Sequence, residues 1–285
     1  QIVEAGAPVF AEASKYGVLR ICSMLAWGLG YFGMPHIIVR FMSIEKPSMV
    51  KKSATVAIVW VVISLAATIA IAYFGRMFVM ADGKDFATYL LSDISNQELI
   101  FVVLTRKLFP AFIAGILLAA IIAASMSTAD SQLLVASSSF TSDIYKPVFR
   151  KNASDKEVLW IGRIVVLIIA VIAYFIASSK SSGAQSIMTL VDNAWGGFGS
   201  AFGPVIILSL FWKRFTYKGA VAGVIAGAAV DVIWMLLLTD VTGIYELLPG
   251  FVAGGLAAIV VSLIDKKPSA EIEALYDNAL SAEIE

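Results

Sequence analysis

Long apolar segments alternate with short polar ones along almost the whole chain. Seven of these segments are long enough to cross a bilayer as a helix, which takes roughly 20 residues. The pattern therefore predicts seven membrane spans, numbered in chain order. They cover about 18–42, 54–79, 109–140, 158–178, 186–212, 218–239 and 247–264. Residues 265–285 form a tail for which the sequence is compatible with a short helix and with disorder.

The composition agrees with this pattern. Hydrophobic residues make up 59% and charged residues 15% of the 285 positions, and the mean hydropathy is +0.86. These values argue against a soluble protein and predict a single transmembrane domain over 1–285, all-α and polytopic, with the lipid bilayer as its surroundings. The chain has 21 basic and 21 acidic residues, so its net charge gives no indication of a nucleic-acid partner. Cys22 is the one cysteine, which excludes an internal disulfide and a thiolate metal cluster.

Basic residues are distributed unequally between the two sides of the predicted membrane. Thirteen lie in or beside the connections that follow spans one, three, five and seven, and seven lie on the other side. Because cytoplasmic loops carry the excess of Lys and Arg, the sequence predicts Gln1 outside and the C-terminus in the cytoplasm. A membrane protein that starts with Gln1 in a loop also indicates that an N-terminal portion is missing.

The middle of span one differs from a regular membrane helix. Gly28, Gly30, Gly33 and Pro35 fall within eight residues of one another. Glycine weakens a helix, and proline removes a backbone donor. Backbone groups freed inside a membrane are tolerated only where protein or a cavity surrounds them. An interrupted span is typical of a transporter binding site, and a glycine-rich face for close helix packing is the alternative explanation.

Span three contains a second group of polar residues. Ala124, Ser127, Thr128 and Ser131 share one face of a helix. Neutral hydroxyls on that face can supply oxygen ligands to a hard, weakly held cation, together with backbone carbonyls. The alternative is that these hydroxyls bond carbonyls four residues earlier and let helices pack closely.

Span five is rich in glycine. Gly199, Gly203 and Pro204 belong to a stretch, 196–204, that is expected to bend within the membrane. We predict that this span acts as a gating helix, and close packing is again the alternative. The glycines of spans six and seven are expected to form ordinary packing faces.

Charged residues within spans are costly and need individual interpretation. Asp130 lies beside the hydroxyl face of span three, and Asp192 lies in the first part of span five. Asp231 is near the middle of span six, where an ion pair or a hydrated crevice is expected. None of the three is assigned a role. Between spans two and three, the stretch 95–98 has the pattern of a capping box and precedes a predicted short helix over 99–104.

Several of these stretches resemble the sodium/solute symporter family, and within it the sodium/proline symporters. The most specific is the interrupted part of span one, 25–38. The others are 126–128 with 131–135 and 143–146, the glycine-rich 194–204, and 245–251. The resemblance extends over essentially all 285 residues. It implies a LeuT-type fold, of which this chain is the second five-helix repeat plus two trailing helices.

The resemblance also implies which residues form the sites. Ser127 and Thr128 match the hydroxyl ligands of a sodium ion, and Ala124 lies where a backbone carbonyl ligand is expected. Trp27, Tyr31 and Pro35 match positions that shape the substrate pocket. Gly28, Gly30 and Gly33 lie at the break, and we expect them to act as gating hinges together with Gly199, Gly203 and Pro204. The missing N-terminal half of the same transporter is expected to supply the other sodium ligands and the other wall of the pocket.

The function implied by the resemblance is sodium-coupled symport of a small amino acid, L-proline, across the plasma membrane by alternating access. No bond is made or broken, so the protein is not expected to be an enzyme. One alternative is symport of another small organic solute. A solute sensor is another, although the 18 residues after Lys267 are too few for a signalling kinase domain. A pore is a weaker alternative, because no ring of repeated polar residues is evident.

Overall fold

The helices of the chain follow the predicted apolar segments. The computed structural model describes residues 3–4, 7–8, 17–81, 88, 92, 96, 98–179 and 187–281. Its principal helices are Val18–Leu25, Trp27–Gly30, Pro35–Met42, Met49–Ala81, Ile100–Leu108, Ala111–Ser138, Asp155–Ala177, Ile187–Phe211, Tyr217–Leu237, Thr239–Thr242, Leu247–Ile264 and Ala270–Ser281. A π-helical segment, Ser139–Phe149, continues the helix of span three. Val3–Glu4 and Ala7–Pro8 pair as a two-residue antiparallel ladder.

Six of these helices are long and apolar enough to cross a membrane. A seventh span results when the helical segments Val18–Gly30 and Pro35–Met42, bent by 49° relative to each other, are counted as one. The protein is therefore an all-α polytopic membrane protein with a break in span one, as the sequence predicts. The break lies between Gly30 and Pro35, and Pro35 begins the second segment, where its missing N–H costs no hydrogen bond.

Span three is longer than the apolar pattern predicts. The prediction ends at residue 140, whereas the helical path continues through the π-helical segment to Phe149. The Thr141 hydroxyl donates to the carbonyls of Ser137 and Ser138, at 2.9 and 3.2 Å. This hydroxyl satisfies two carbonyls at the point where the wider helix begins.

The chain forms two compact units. The first contains Gln1–Met42 with Val191–Glu285, and the second contains Ser43–Leu190. In the second unit, the Ser137 hydroxyl of span three donates to the carbonyl of Gly162 in span four at 2.9 Å. Span four begins after Ser154, whose hydroxyl accepts the N–H of Glu157 at 3.3 Å. These contacts fix the paired ends of spans three and four.

Glu98 makes a contact that its sequence pattern does not predict. Its carboxylate accepts the backbone N–H groups of Ile187 and Met188, at 3.1 and 3.0 Å. Glu98 therefore caps the first turn of another helix, which sequence spacing does not reveal. Two residues of the predicted capping box, Ser95 and Gln97, lie outside the described residues. The short helix after it is Ile100–Leu108 rather than 99–104.

In the first unit, spans six and seven pack through small residues. Cβ atoms placed on Gly223 and Gly254 would come within 3.1 Å of backbone or side-chain atoms of the facing helix. The same holds for Gly219, which faces Ser262, and for Gly250, which faces Ser200 of span five. This close approach confirms that these glycines form packing faces.

Span one packs equally closely against span five. A Cβ on Gly30 would overlap the indole ring of Trp195, and a Cβ on Gly33 would lie 2.8 Å from the Cα of Gly199. Likewise, a Cβ placed on Gly199 would lie 2.8 Å from the Cα of Gly30. Glycine is needed at these positions for space and not for an unusual backbone, because Gly243 is the one described glycine with a positive φ.

The tail forms a helix, Ala270–Ser281. Its acidic residues lie near the end of span five. The Lys213 ammonium lies 2.6 Å from the Asp277 carboxylate. Arg214 donates to the carbonyl of Asp265 at 2.8 Å, just after span seven ends. A cation at this place is favourable because the carbonyls at a helix C-terminus carry partial negative charge.

The packing of Gly30 leads to a testable prediction. Gly30→Ala is expected to destabilise the purified protein by about 1–3 kcal/mol, because the added methyl group enters the space of the Trp195 ring. Gly28→Ala is the matched control, since nothing lies within 4 Å of a Cβ at that position. Thermal unfolding in detergent compares the two variants. Equal unfolding temperatures would contradict the close contact between spans one and five.

Candidate functional site

Aromatic side chains surround the break in span one. The rings of Trp27 and Trp195 are stacked, with centroids 5.4 Å apart and planes at 12°. Tyr31 meets Trp195 edge to face, with centroids 4.8 Å apart and planes at 83°. The indole N–H of Trp195 also donates to the carbonyl of Trp27 at 2.9 Å. One tryptophan of span five therefore contacts both aromatic residues that were predicted to shape the substrate pocket.

Tyr245, in the connection before span seven, completes this group. Its ring stacks on Trp27 with centroids 6.0 Å apart, and its backbone N–H donates to the Ser23 hydroxyl at 2.7 Å. Burial raises the pKa of the Tyr245 hydroxyl, and neighbouring carboxylates raise it further. The hydroxyl therefore stays protonated at neutral pH and donates to the carbonyl of Asp192 at 2.7 Å.

The two predicted pocket rings differ in how much surface they leave free. Trp27 is half-buried between its ring partners, whereas Tyr31 is 52% exposed. Pro35 is half-buried at the start of the second segment of span one. Tyr31 is therefore the most exposed ring of this group.

The hydroxyl face of span three lies in the second unit. The Thr128 hydroxyl donates to the carbonyl of Ala124 at 3.3 Å, and the Ser131 hydroxyl donates to the carbonyl of Ser127 at 3.0 Å. The Ser127 hydroxyl makes no hydrogen bond to any residue that the structure describes. The alternative explanation, bonding to the carbonyl four residues earlier, therefore applies to Thr128 and Ser131 but not to Ser127.

The hydrogen bond between the Thr128 hydroxyl and the Ala124 carbonyl is compatible with cation binding. Two ligands that each lie about 2.4 Å from one cation, at right angles, are about 3.4 Å apart. The distance of 3.3 Å between Thr128 Oγ1 and the Ala124 carbonyl oxygen fits that spacing. No group of three or more His, Cys, Asp or Glu side chains in the described part of the chain is arranged to hold a metal ion. A cation on this face would be bound by neutral oxygens.

The structure describes the two predicted sites in different units. Trp27, Tyr31 and Pro35 belong to the first unit, and Ala124, Ser127 and Thr128 belong to the second. Within each unit the predicted residues are brought together on one face or around one break. Their assignment as substrate and sodium ligands remains a prediction.

The predicted gating residues lie in two kinds of surroundings. Gly30, Gly33 and Gly199 line the contact between spans one and five, whereas Gly28 faces open space. A Cβ on Gly203 would lie 2.6 Å from the Phe251 ring of span seven. Span five runs as one helix through Pro204. Close packing therefore accounts for Gly30, Gly33, Gly199 and Gly203, and their action as hinges remains a prediction.

Asp231 is buried in the first unit. It is 2% exposed and accepts the Ser200 hydroxyl at 2.8 Å. The same hydroxyl lies 3.3 Å from the carbonyl of Leu247 in span seven. The expected ion pair is not found, since Asp231 has no ion pair with any residue in the described ranges. This network joins spans five, six and seven at one point.

Sequence reasoning assigned no role to Trp195 or Tyr245. Both lie in stretches that carry the family resemblance, 194–204 and 245–251, which was the available signal. Both residues contact Trp27, which is 168 positions away from Trp195. No helical spacing or local motif encodes that contact.

The sequence of the chain is similar to those of known membrane transporters. The family model described as "Sodium:solute symporter family" matches residues 11–227. The chain is 43% identical to the sodium/proline symporter of Haemophilus influenzae, over 96% of this chain and 53% of that protein. It is 44% identical to the osmoregulated proline transporter OpuE of Bacillus subtilis, over 92% of this chain and 50% of that protein. It is 40% identical to the sodium/proline symporter of Escherichia coli, over 91% of this chain and 50% of that protein.

The chain thus spans about half the length of the curated relatives it matches. The match to the family model extends from before the break in span one into span six. It includes Trp27, Tyr31 and Trp195 and the hydroxyl face of span three, whereas Tyr245 lies after its end. This chain belongs to the sodium:solute symporter family.

Proposed function

We propose that this chain is the C-terminal half of a symporter that couples inward sodium movement to the uptake of L-proline. The observation that carries the proposal is the identity of 40–44% to named proline transporters over more than nine tenths of the chain. Those relatives are about twice as long. The proposed partner of this chain is therefore an N-terminal half that supplies the first repeat of a LeuT-type fold.

The aromatic group around the break in span one is proposed as one wall of the substrate site. Proline has a small apolar ring with charged groups at one side, so it needs an apolar wall and nearby polar groups. The half-exposed ring of Tyr31 provides such a wall. Backbone groups between Gly30 and Pro35, where the helix is interrupted, are suited to bind the charged groups of the substrate.

The hydroxyl face of span three is proposed as half of a sodium site. Ser127 and Thr128 would contribute hydroxyl oxygens and Ala124 its backbone carbonyl. The spacing of 3.3 Å between the Thr128 and Ala124 oxygens is compatible with this assignment. The remaining ligands would come from the N-terminal half. Neutral ligands suit an ion that must be released after each transport cycle.

Transport would follow from a difference in stability between conformations. Sodium and proline together need to favour the occluded state by a few kcal/mol, since a ligand shifts an equilibrium only by its differential affinity. No covalent step is involved. The loop charges support an orientation with Gln1 outside and Glu285 in the cytoplasm of a plasma-membrane protein.

Uptake measurements test the proposed function. Vesicles that contain the full-length protein should accumulate labelled L-proline when a sodium gradient is applied, and should not do so with potassium in its place. Accumulation of another small solute instead of proline would correct the substrate. Sodium-dependent binding without accumulation would favour a sensor, and flux without sodium would indicate a pore.

Removing sodium ligands gives a second prediction. Ser127→Ala and Thr128→Ala should each raise the sodium concentration for half-maximal proline uptake by about tenfold or more, because each removes one oxygen from the coordination shell. Sodium titration of initial uptake rates measures the change.

The matched control for these two variants is Ser125→Ala. Ser125 lies on the same helix, is exposed, and donates to the carbonyl of Ile121 at 3.0 Å. Its removal should leave the sodium dependence unchanged. If Ser125→Ala behaves like Ser127→Ala, the hydroxyls of span three act only in packing and the sodium site lies elsewhere.

The substrate wall gives a third prediction. Tyr31→Ala removes an aromatic contact worth about 1–3 kcal/mol, so the apparent KM for proline should rise ten- to hundredfold. Tyr31→Phe should change it much less. Phe32→Ala is the control, because Phe32 is the adjacent residue and is 47% exposed. An unchanged KM in Tyr31→Ala would place the substrate away from the break in span one.

A further inference from the structure

Trp195 makes several contacts with span one, although it is not among the predicted site residues. It lies in the first half of span five, five positions before Ser200. The proposed substrate and sodium sites assign it no part. Its indole is half-buried and faces the break in span one.

The indole of Trp195 constrains the two pocket rings in three ways. It stacks on Trp27 with ring centroids 5.4 Å apart. It also forms a T-shaped pair with Tyr31, with ring centroids 4.8 Å apart. Its N–H donates to the Trp27 carbonyl at 2.9 Å. A stack, an edge contact and a directional hydrogen bond together fix both the position and the orientation of a ring pair.

The backbone of span one is shaped to receive this indole. Trp27, Gly30 and Tyr31 lie on one helical face, at spacings of three and four residues. A Cβ on Gly30 would overlap Nε1, Cδ1 and Cε2 of Trp195. The indole therefore lies against bare backbone between the two pocket rings, which holds all three aromatic groups together.

Span five is anchored one turn after Trp195. Ser200 is fully buried and donates to Asp231 of span six, and its carbonyl oxygen is so close to Gly227 that a Cβ there would overlap it. The residues between the two contacts include Gly196, Gly197 and Gly199. A change of angle in this short stretch would move Trp195 relative to the Ser200 anchor, and the pocket rings would move with it.

We propose that Trp195 is a positioning residue for substrate binding, which holds Trp27 and Tyr31 in the orientation that binds the substrate ring. It acts through Tyr31 and links the angle of span five to the shape of the substrate wall. This inference rests on the proposed function, because it takes Tyr31 as the ring that contacts the substrate.

A double-mutant cycle in the full-length protein tests the proposal. Trp195→Ala should raise the apparent KM for proline about tenfold, because Tyr31 loses its ring partner and Trp27 loses both a stack and a hydrogen bond. In the double variant with Tyr31→Ala, the KM should equal that of Tyr31→Ala alone. Two residues that act through one contact are not additive, whereas independent residues multiply their effects.

Trp195→Phe and Trp212→Ala complete the experiment. Trp195→Phe keeps a ring but loses the N–H, so its KM should rise by less than that of Trp195→Ala, about threefold. It decides the question if Trp195→Ala does not fold. Trp212 lies at the other end of the same helix and contacts Phe215 at 6.4 Å, so Trp212→Ala should leave the KM unchanged. The amount of protein in the membrane is measured for each variant, because a structural defect lowers the maximal rate and not the affinity.

The outcomes separate the two proposals. If the wild-type protein shows no sodium-dependent proline uptake, the proposed function fails. If wild-type uptake is present, multiplicative effects of Trp195→Ala and Tyr31→Ala on KM overturn the role of Trp195. An unchanged KM in both Trp195 variants overturns it as well.

Discussion

The close approach of span one and span five holds the aromatic residues around the break together. Gly30 and Gly33 on one side and Gly199 on the other leave no room for a side chain between the two backbones. Van der Waals packing holds membrane helices together when small residues allow such an approach. The indole of Trp195 lies at the end of this contact and bonds the carbonyl of Trp27. A helix that is interrupted in the membrane thereby obtains a protein wall along its broken part.

The two aromatic residues of span one that contact Trp195 differ in their exposure. Trp27 is held on the protein side by Trp195 and Tyr245, whereas half of the surface of Tyr31 remains exposed. Ser200 and Asp231 hold the next turn of span five against spans six and seven. The exposed ring is therefore supported by contacts that extend, through span five, to a buried hydrogen-bonded network. Such support matters for a binding site because an unfixed side chain loses affinity through its own conformational entropy.

The sequence was sufficient to predict the spans and the break, because apolar length and the glycine–proline pattern are local signals. The packing glycines of spans six and seven were also predictable, since Gly219, Gly223 and Gly227 repeat every four residues. The contact of Trp195 with Trp27 was not predictable, because it joins residues 168 positions apart. Glu98 likewise fits a local capping box but caps a helix that begins at Ile187. For Asp231 the sequence left an ion pair and a hydrated crevice open, and it could not show that the Ser200 hydroxyl of another span reaches the carboxylate.

We propose that sodium binding at the hydroxyl face of span three and proline binding at the aromatic wall of span one are coupled. Equilibrium binding to the purified full-length protein tests it most directly. Labelled L-proline is titrated in sodium and in potassium, and sodium binding is titrated with and without proline. If the two sites are coupled, sodium should raise the affinity for proline by about 5–150-fold, and proline should raise the affinity for sodium by the same factor, because binding linkage is reciprocal. The same proline affinity in sodium and in potassium would contradict it.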